Sequence, residues 1–223
     1  MKKLHFENYL NIEHTQAKNL FNTAYPWVVI RDLKNRFHEV VHVLGSEYKE
    51  IEKGIWIHLT AKVDKTVNIV GPCIVGANAH LRHCAYIREN VIIGSDVIVG
   101  NSSELKNAIL FDKVQAPHFN YVGDSIMGYK SHIGAGSILS NMKSNKTEVS
   151  IKLSSEETIT TGLRKFGAIV GDEVEIGCNA VINPGTIIGR GSMIYPLSNP
   201  RGVIPEGVIY KQDGTKVPIR KED

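Results

Sequence analysis

Three cysteines, Cys73, Cys84 and Cys178, are all that 223 residues contain. An odd number of scattered thiols does not make a disulfide scaffold; reduced thiols are expected, with Cys73 buried, and with them a cytoplasmic location. No stretch approaches the roughly 18 consecutive apolar residues of a membrane span, and the opening MKKLHFENYLNIEH lacks the apolar core of a secretory signal. No membrane partner is therefore expected. Charge of one sign is also scarce: the formal net charge is +3, with no basic stripe interleaved with aromatics, so nucleic acid is not an expected partner either. A glycine-rich loop for cradling nucleotide phosphates is missing. The remainder, 42% hydrophobic and 22% charged, is that of a soluble globular chain holding one large domain, or one domain with a small appendage.

What is present is a rhythm. From Ile57 an aliphatic or Phe side chain recurs every sixth residue, at Val63, Ile69, Val75, Leu81, Ile87, Ile93, Val99, Leu105 and Phe111. Small or β-branched residues follow four positions later, as at Val67, Cys73, Ala79, Ala85, Val91, Val97 and Ser103. A period of six fits neither a 3.6-residue helix nor plain strand alternation, but it fits short straight segments joined by tight corners. Three such segments make one triangular coil, with the aliphatic residue inside and a small residue near each corner. Stacked coils bury a column that no single repeat could bury alone. The expected fold is all-β, a hexapeptide-repeat parallel β-helix of about six coils.

The rest of the chain divides around it. Residues 1–50 lack the period and predict a helical N-terminal cap: a short helix from Ile12 to Asn22, then a longer one opened by Pro26 and stopped at Gly45. The solenoid is expected over 51–200. The rhythm breaks at PHFNYVGDS, resumes at Met127, Ile133 and Leu139, and breaks again over 141–166, where strand-like alternation at Glu148 to Lys152 predicts an excursion loop or hairpin. It returns at Val170, Ile176, Ile182, Ile188 and Ile194, and residues 201–223 read as a solvated tail. A regular prism offers flat faces, so the interruptions are where chemistry is expected.

The polar residues at those interruptions are specific. VGNSSELKNAILFDKVQAPHFNYVGDS, then IGAGSILSN, then Asn145-Lys146, resembles the acetyltransferase half of bifunctional glucosamine-1-phosphate acetyltransferase/N-acetylglucosamine-1-phosphate uridyltransferase, over roughly residues 70 to 195. Over nearly its full length the chain is also similar to stand-alone bacterial hexapeptide proteins called UDP-N-acetylglucosamine diphosphorylases, although the nucleotide-binding domain that such chemistry needs has no counterpart here. The resemblance implies a left-handed coil, a homotrimer, acetyl-CoA as acyl donor, and an amino-sugar phosphate or nucleotide sugar as partner. It places the general base on His118, an orienting carboxylate on Glu104, and sugar-phosphate contacts on Arg82, Lys106, Tyr121, Asn141 and Lys146. On the donor side it places an oxyanion-stabilising backbone amide at Ala135, and Cys178 near the thioester. An imidazole titrating near 6.5 suits deprotonation of an amine, and guanidinium, ammonium and phenol groups suit a phosphate dianion. The chain departs from the family at Cys178, where a Ser is usual, at His132 for an Asn, at Pro196 for a small coil residue, and in a longer excursion at 147–165.

Three functions follow as expectations. The first is an acetyl-CoA-dependent N-acyltransferase acting on an amino-sugar phosphate such as glucosamine-1-phosphate. The second is a non-catalytic module that keeps the sugar-nucleotide pocket. The third, suggested by His80, His83, His118 and His132, is a zinc hydrase on the same solenoid; their spacing does not match that class, and no metal site is predicted.

Overall fold

In the computed structural model of the chain, which describes residues 2–154 and 156–220, the six-residue step becomes three parallel sheets forming the walls of a β-helix. Face 1 holds Ile55–His58, Cys73–Val75, Val91–Ile93, Ala108–Leu110, Ile126–Met127, Ala168–Val170, Thr186–Ile188 and Val203–Ile204. Face 2 begins with Lys62–Val63, His80–Leu81, Ile98–Asn101 and Gln115–His118; face 3 begins with Asn68–Ile69, Tyr86–Ile87, Glu104–Lys106 and Tyr121–Gly123. Each expected aliphatic from Val75 to Leu105 is inside and fully buried, and each buried Ile or Leu contributes roughly 1.5–3 kcal/mol.

Register corrects the reading at Phe111. Ile93 pairs with Leu110, not with Phe111, because the corner at Asn107 is one residue shorter than those before it. Leu110 therefore takes the inward place. Phe111 sits at the following corner, its ring edge-on to that of Phe21 at 5.7 Å.

The stack is deeper than six coils. Faces 1 and 2 are nine strands each and face 3 is six, with antiparallel strands Tyr48–Glu52 and Lys216–Pro218 closing opposite ends. Val203–Ile204 pairs parallel with Thr186–Ile188, and Val208–Tyr210 with Met193–Ile194. The solenoid thus continues past residue 200, where the Pro and Gly residues that suggested a tail make corners; residues 221–223 lie outside the described part. The excursion is a hairpin of Val149–Lys152 with Thr158–Leu163, as the alternation predicts.

The N-terminal helical region covers a flank rather than the open first level, where Val63 remains 38% exposed. The middle side chains of face 1, Ile74, Ile92, Ile109, Ile126, Ile169 and Ile187, point away from the prism interior, yet all are fully buried. The helix Pro26–Val41 buries Trp27, Ile30, Leu33 and Phe37 in the same apolar cluster. It ends before Gly45, to which turn hydrogen bonds of Val43 and Leu44 carry the chain. Ile12 to Asn22 is not one helix but two short 3₁₀ turns, Ile12–His14 and Lys18–Leu20. Besides its local turns the segment is tied to solenoid corners: Asn11 N–H donates to Asp172 Oδ2 at 2.8 Å and His14 O accepts from Asp112 N–H at 2.9 Å.

Candidate active site

Face 3 and its two corners gather most of the expected residues. At the corner from face 2 to face 3, register places His118, Ala135 and Cys178 on successive levels of one column. Its turns are stitched by Gly136 N–H to His118 O at 3.2 Å, Asn179 N–H to Ala135 O at 2.8 Å and Leu197 N–H to Cys178 O at 3.0 Å. His118 and Cys178 are exposed and Ala135 is half-buried. The Ala135 N–H has no acceptor among the described residues. Asn120 fixes this corner from inside. Buried, it accepts from His118 N–H at 3.0 Å and donates to Gly134 O at 2.8 Å.

From that corner the outer surface of face 3 carries Glu104 beside Tyr121 in register, then Lys106 beside Gly123. Arg88 Nη1 donates to Glu104 Oε1 at 3.0 Å, and Lys106 Nζ lies 3.7 Å from Glu89 Oε1. A backbone hydrogen bond, helped by Lys106 and Arg88, holds the Glu89 carboxyl below the usual range. Burial, then the Asp124 and Glu104 charges, push the Tyr121 phenol up, so it stays a hydrogen-bond donor at neutral pH. At the far corner Asn141 Nδ2 donates to both Tyr121 Oη, at 3.1 Å, and Asp124 Oδ2, while Asn107 Nδ2 donates to Asp124 Oδ1 at 2.9 Å. The base of the excursion is tied to the same point by Phe166 N–H to Asn141 O and Gly167 N–H to Asp124 O.

Two expected residues lie elsewhere in the protomer. Arg82 lines a hollow with Lys62, His80 and Asp96 on the face 2 side, and Lys146 is exposed on the excursion. The guanidinium in the face 3 strip belongs to Arg88, which reasoning from sequence passed over along with Asn120 and Asp124. A signal existed for Arg88, since it follows the inward Ile87 by one position, as Lys106 follows Leu105. Nor do the histidines converge. His80 and His132 share a face 2 column but are three strand spacings apart, roughly 14 Å. Each has its own partner, Asp64 at 3.3 Å and Glu175 at 2.8 Å, and among the described residues no three His, Cys, Asp or Glu are placed to hold a metal.

The chain is 35% identical over 130 residues to the bifunctional protein GlmU of Methanococcus vannielii, covering 58% of this chain and 31% of that protein. It is 30% identical over 188 residues to the bifunctional protein GlmU of Staphylococcus haemolyticus, covering 76% of this chain and 37% of that protein. It thus spans about a third of the length of these curated relatives. Among solved structures, a point mutant of AntD, an N-acyltransferase from Bacillus cereus in complex with dTDP and coenzyme A, shares 16% identity at a TM-score of 0.46, covering 79% of this chain and 91% of that one. Residues 69–189, more than half of the chain and the whole stretch from which the strip is built, match the GMPPB C-terminal domain, and the chain belongs to that family.

Proposed function

We propose that the protein is an acetyl-CoA-dependent N-acyltransferase whose acceptor is an amino-sugar phosphate. The observation that carries this reading is the corner column, in which an exposed imidazole at His118 stands one level from the unpaired N–H of Ala135, beside the polar strip of face 3. Strand levels are about 4.8 Å apart, so a base and an oxyanion donor one level apart can serve the two sides of one reacting carbonyl.

In this reading Arg88, Lys106, Tyr121 and Asn141 bind the sugar phosphate, and Glu104, paired with Arg88, orients the amine. His118 accepts the amine proton as nitrogen attacks the thioester carbonyl, and the Ala135 N–H donates to the developing oxyanion. The C–N bond forms, the C–S bond breaks, and the imidazolium returns its proton to the departing thiolate. The acyl donor lies along the column past Cys178 towards Pro196. Arg82 and Lys146 enter the site only if a neighbouring copy in a homotrimer supplies them.

The test is release of free thiol from acetyl-CoA in the presence of glucosamine-1-phosphate. Turnover by the wild type and a fall of about 10²–10⁴-fold in His118→Ala are expected. Calorimetric binding of N-acetylglucosamine-1-phosphate without turnover on any amino sugar would make the protein a binding module instead.

A further inference from the structure

Immediately beyond the Tyr121–Asn141–Asp124 group lies a hollow of about 500 Å³ that the acyl-transfer reading leaves unused. Three separate parts of the chain build it. The helix Pro26–Val41 contributes Ile30 and Arg31, the corner of face 3 contributes Asn107 and Asp124, and the excursion contributes Met142 with its returning arm from Leu163 to Lys165. Its volume falls within the roughly 300–1,000 Å³ typical of small-molecule sites.

The charges around it are unevenly satisfied. Arg31 is neutralised by Asp32, with Nε–Oδ1 at 2.7 Å and Nη2–Oδ2 at 2.8 Å. Asp124, the one carboxylate in the lining, is 5% exposed and its two oxygens accept from the amides of Asn107 and Asn141. Arg164 and Lys165 are exposed and have no ion-pair partner among the described residues. Arg164 and Lys165 thus leave the lining with more cation than the single Asp124 carboxylate balances, beside the apolar Ile30, Met142 and Leu163. Cations beside an apolar shelf suit a phosphate joined to a flat, weakly polar ring. The cavity adjoins the acceptor strip through Asp124, which accepts from Asn141, so one ligand can reach both.

We propose that this hollow receives the distal phosphate and nucleoside of a nucleoside-diphosphate sugar, whose proximal phosphate and sugar lie on the face 3 strip. Arg164 and Lys165 contact the distal phosphate, and Ile30, Met142 and Leu163 pack against the base. The inference rests on the proposed function only for which end of the ligand carries the amine; the added binding is testable without catalysis.

Calorimetric titration of the whole chain with UDP-N-acetylglucosamine and with N-acetylglucosamine-1-phosphate as probes decides it. The nucleotide sugar is expected to bind at least tenfold more tightly. In the double variant Arg164→Ala, Lys165→Ala, affinity for the nucleotide sugar is expected to fall at least fivefold more than affinity for the sugar phosphate. Both side chains are exposed, so an unchanged thermal midpoint is the folding control, and Leu163→Asp gives a second, charge-repelling test of the same wall. Equal affinities in the wild type, or a preference that both variants leave intact, overturn the proposal. Equal affinities combined with acetyl transfer to glucosamine-1-phosphate would remove this subsite while leaving the proposed function in place. A nucleotide-sugar preference abolished by the variants, without acetyl transfer, would do the reverse.

Discussion

The phenol of Tyr121 lies over Gly123, two residues along its own strand: a Cβ on Gly123 would stand 2.5 Å from Tyr121 Oη and 2.7 Å from its ring. The missing side chain lets the phenol reach Asn141 at 3.1 Å. Gly123→Ala would therefore swing the ring away while leaving the coil intact, since the clash is with a movable side chain and not with backbone. Loss of one hydrogen bond of about 1 kcal/mol corresponds to roughly a fivefold rise in KM for the acceptor, with a thermal midpoint near that of the wild type. Unchanged acceptor kinetics would separate the Tyr121–Asn141 contact from binding.

Arg88 and Arg82 make opposite forecasts. Arg88→Ala leaves Glu104 and Glu89 without their guanidinium and removes a cation from the strip. Because these groups are a third exposed, the folding cost is small, but KM for a phosphorylated acceptor is expected to rise tenfold or more. Arg82→Ala, on the face 2 side, is expected to do the same only in an assembly that brings it against a neighbour's strip. Comparing both variants by steady-state kinetics and by light scattering tests that link, and an acceptor KM unaltered in Arg88→Ala would remove Arg88 from the site.

The inner wall of the prism was written in the sequence because each aliphatic from Ile57 to Leu105 obeys one local rule, and the register reproduces it level by level. The outer wall was not. Ile74, Ile92 and Ile109 occupy strand positions that an isolated solenoid would expose, and only the distant helix explains them. For the same reason the path of residues 2–25 was illegible: beyond its local turns it is anchored to Asp112 and Asp172, more than 90 residues away. In the site, His118, Glu104, Lys106, Tyr121 and Asn141 could be picked out because they match the family motif at polar positions that the repeat alone does not demand. Asp124 could not, since its role depends on Asn107 and Asn141 reaching it from two other turns.

That flank yields a stability forecast. Six fully buried outward isoleucines at roughly 1.5–3 kcal/mol each represent about as much free energy as a typical domain's entire margin of 5–15 kcal/mol. A chain beginning at residue 46 should therefore bind hydrophobic dye and aggregate. The milder Trp27→Ala, which empties a site packed against Phe166 and Tyr25, should cost about 3–5 kcal/mol in denaturant unfolding. A soluble, cooperatively unfolding truncation would mean that the N-terminal region does not stabilise face 1.

Asp172 gives that attachment a dependence on pH. It is 7% exposed and receives the backbone N–H groups of Asn11, from the N-terminal segment, and Tyr129, from the solenoid corner. Burial pushes its carboxyl above the usual range, against the opposing pull of those two donors and of the Arg190 and His14 charges. The folded chain consequently holds this proton more tightly than the unfolded chain, whose aspartate titrates near 3.9. The stabilisation is complete below that value and is lost as pH rises through the higher folded one. Asp172→Asn abolishes this slope and leaves two N–H donors competing for one amide oxygen, a loss of roughly 1–3 kcal/mol. The wild type should then exceed the variant most near pH 4, and the gap should narrow towards pH 7, while Asp112, also raised by burial, titrates alike in both chains. Thermal midpoints of the two proteins over pH 4–7 measure that gap directly, and one that widens with rising pH would show that the ionised carboxylate, not the protonated one, is the form the fold prefers.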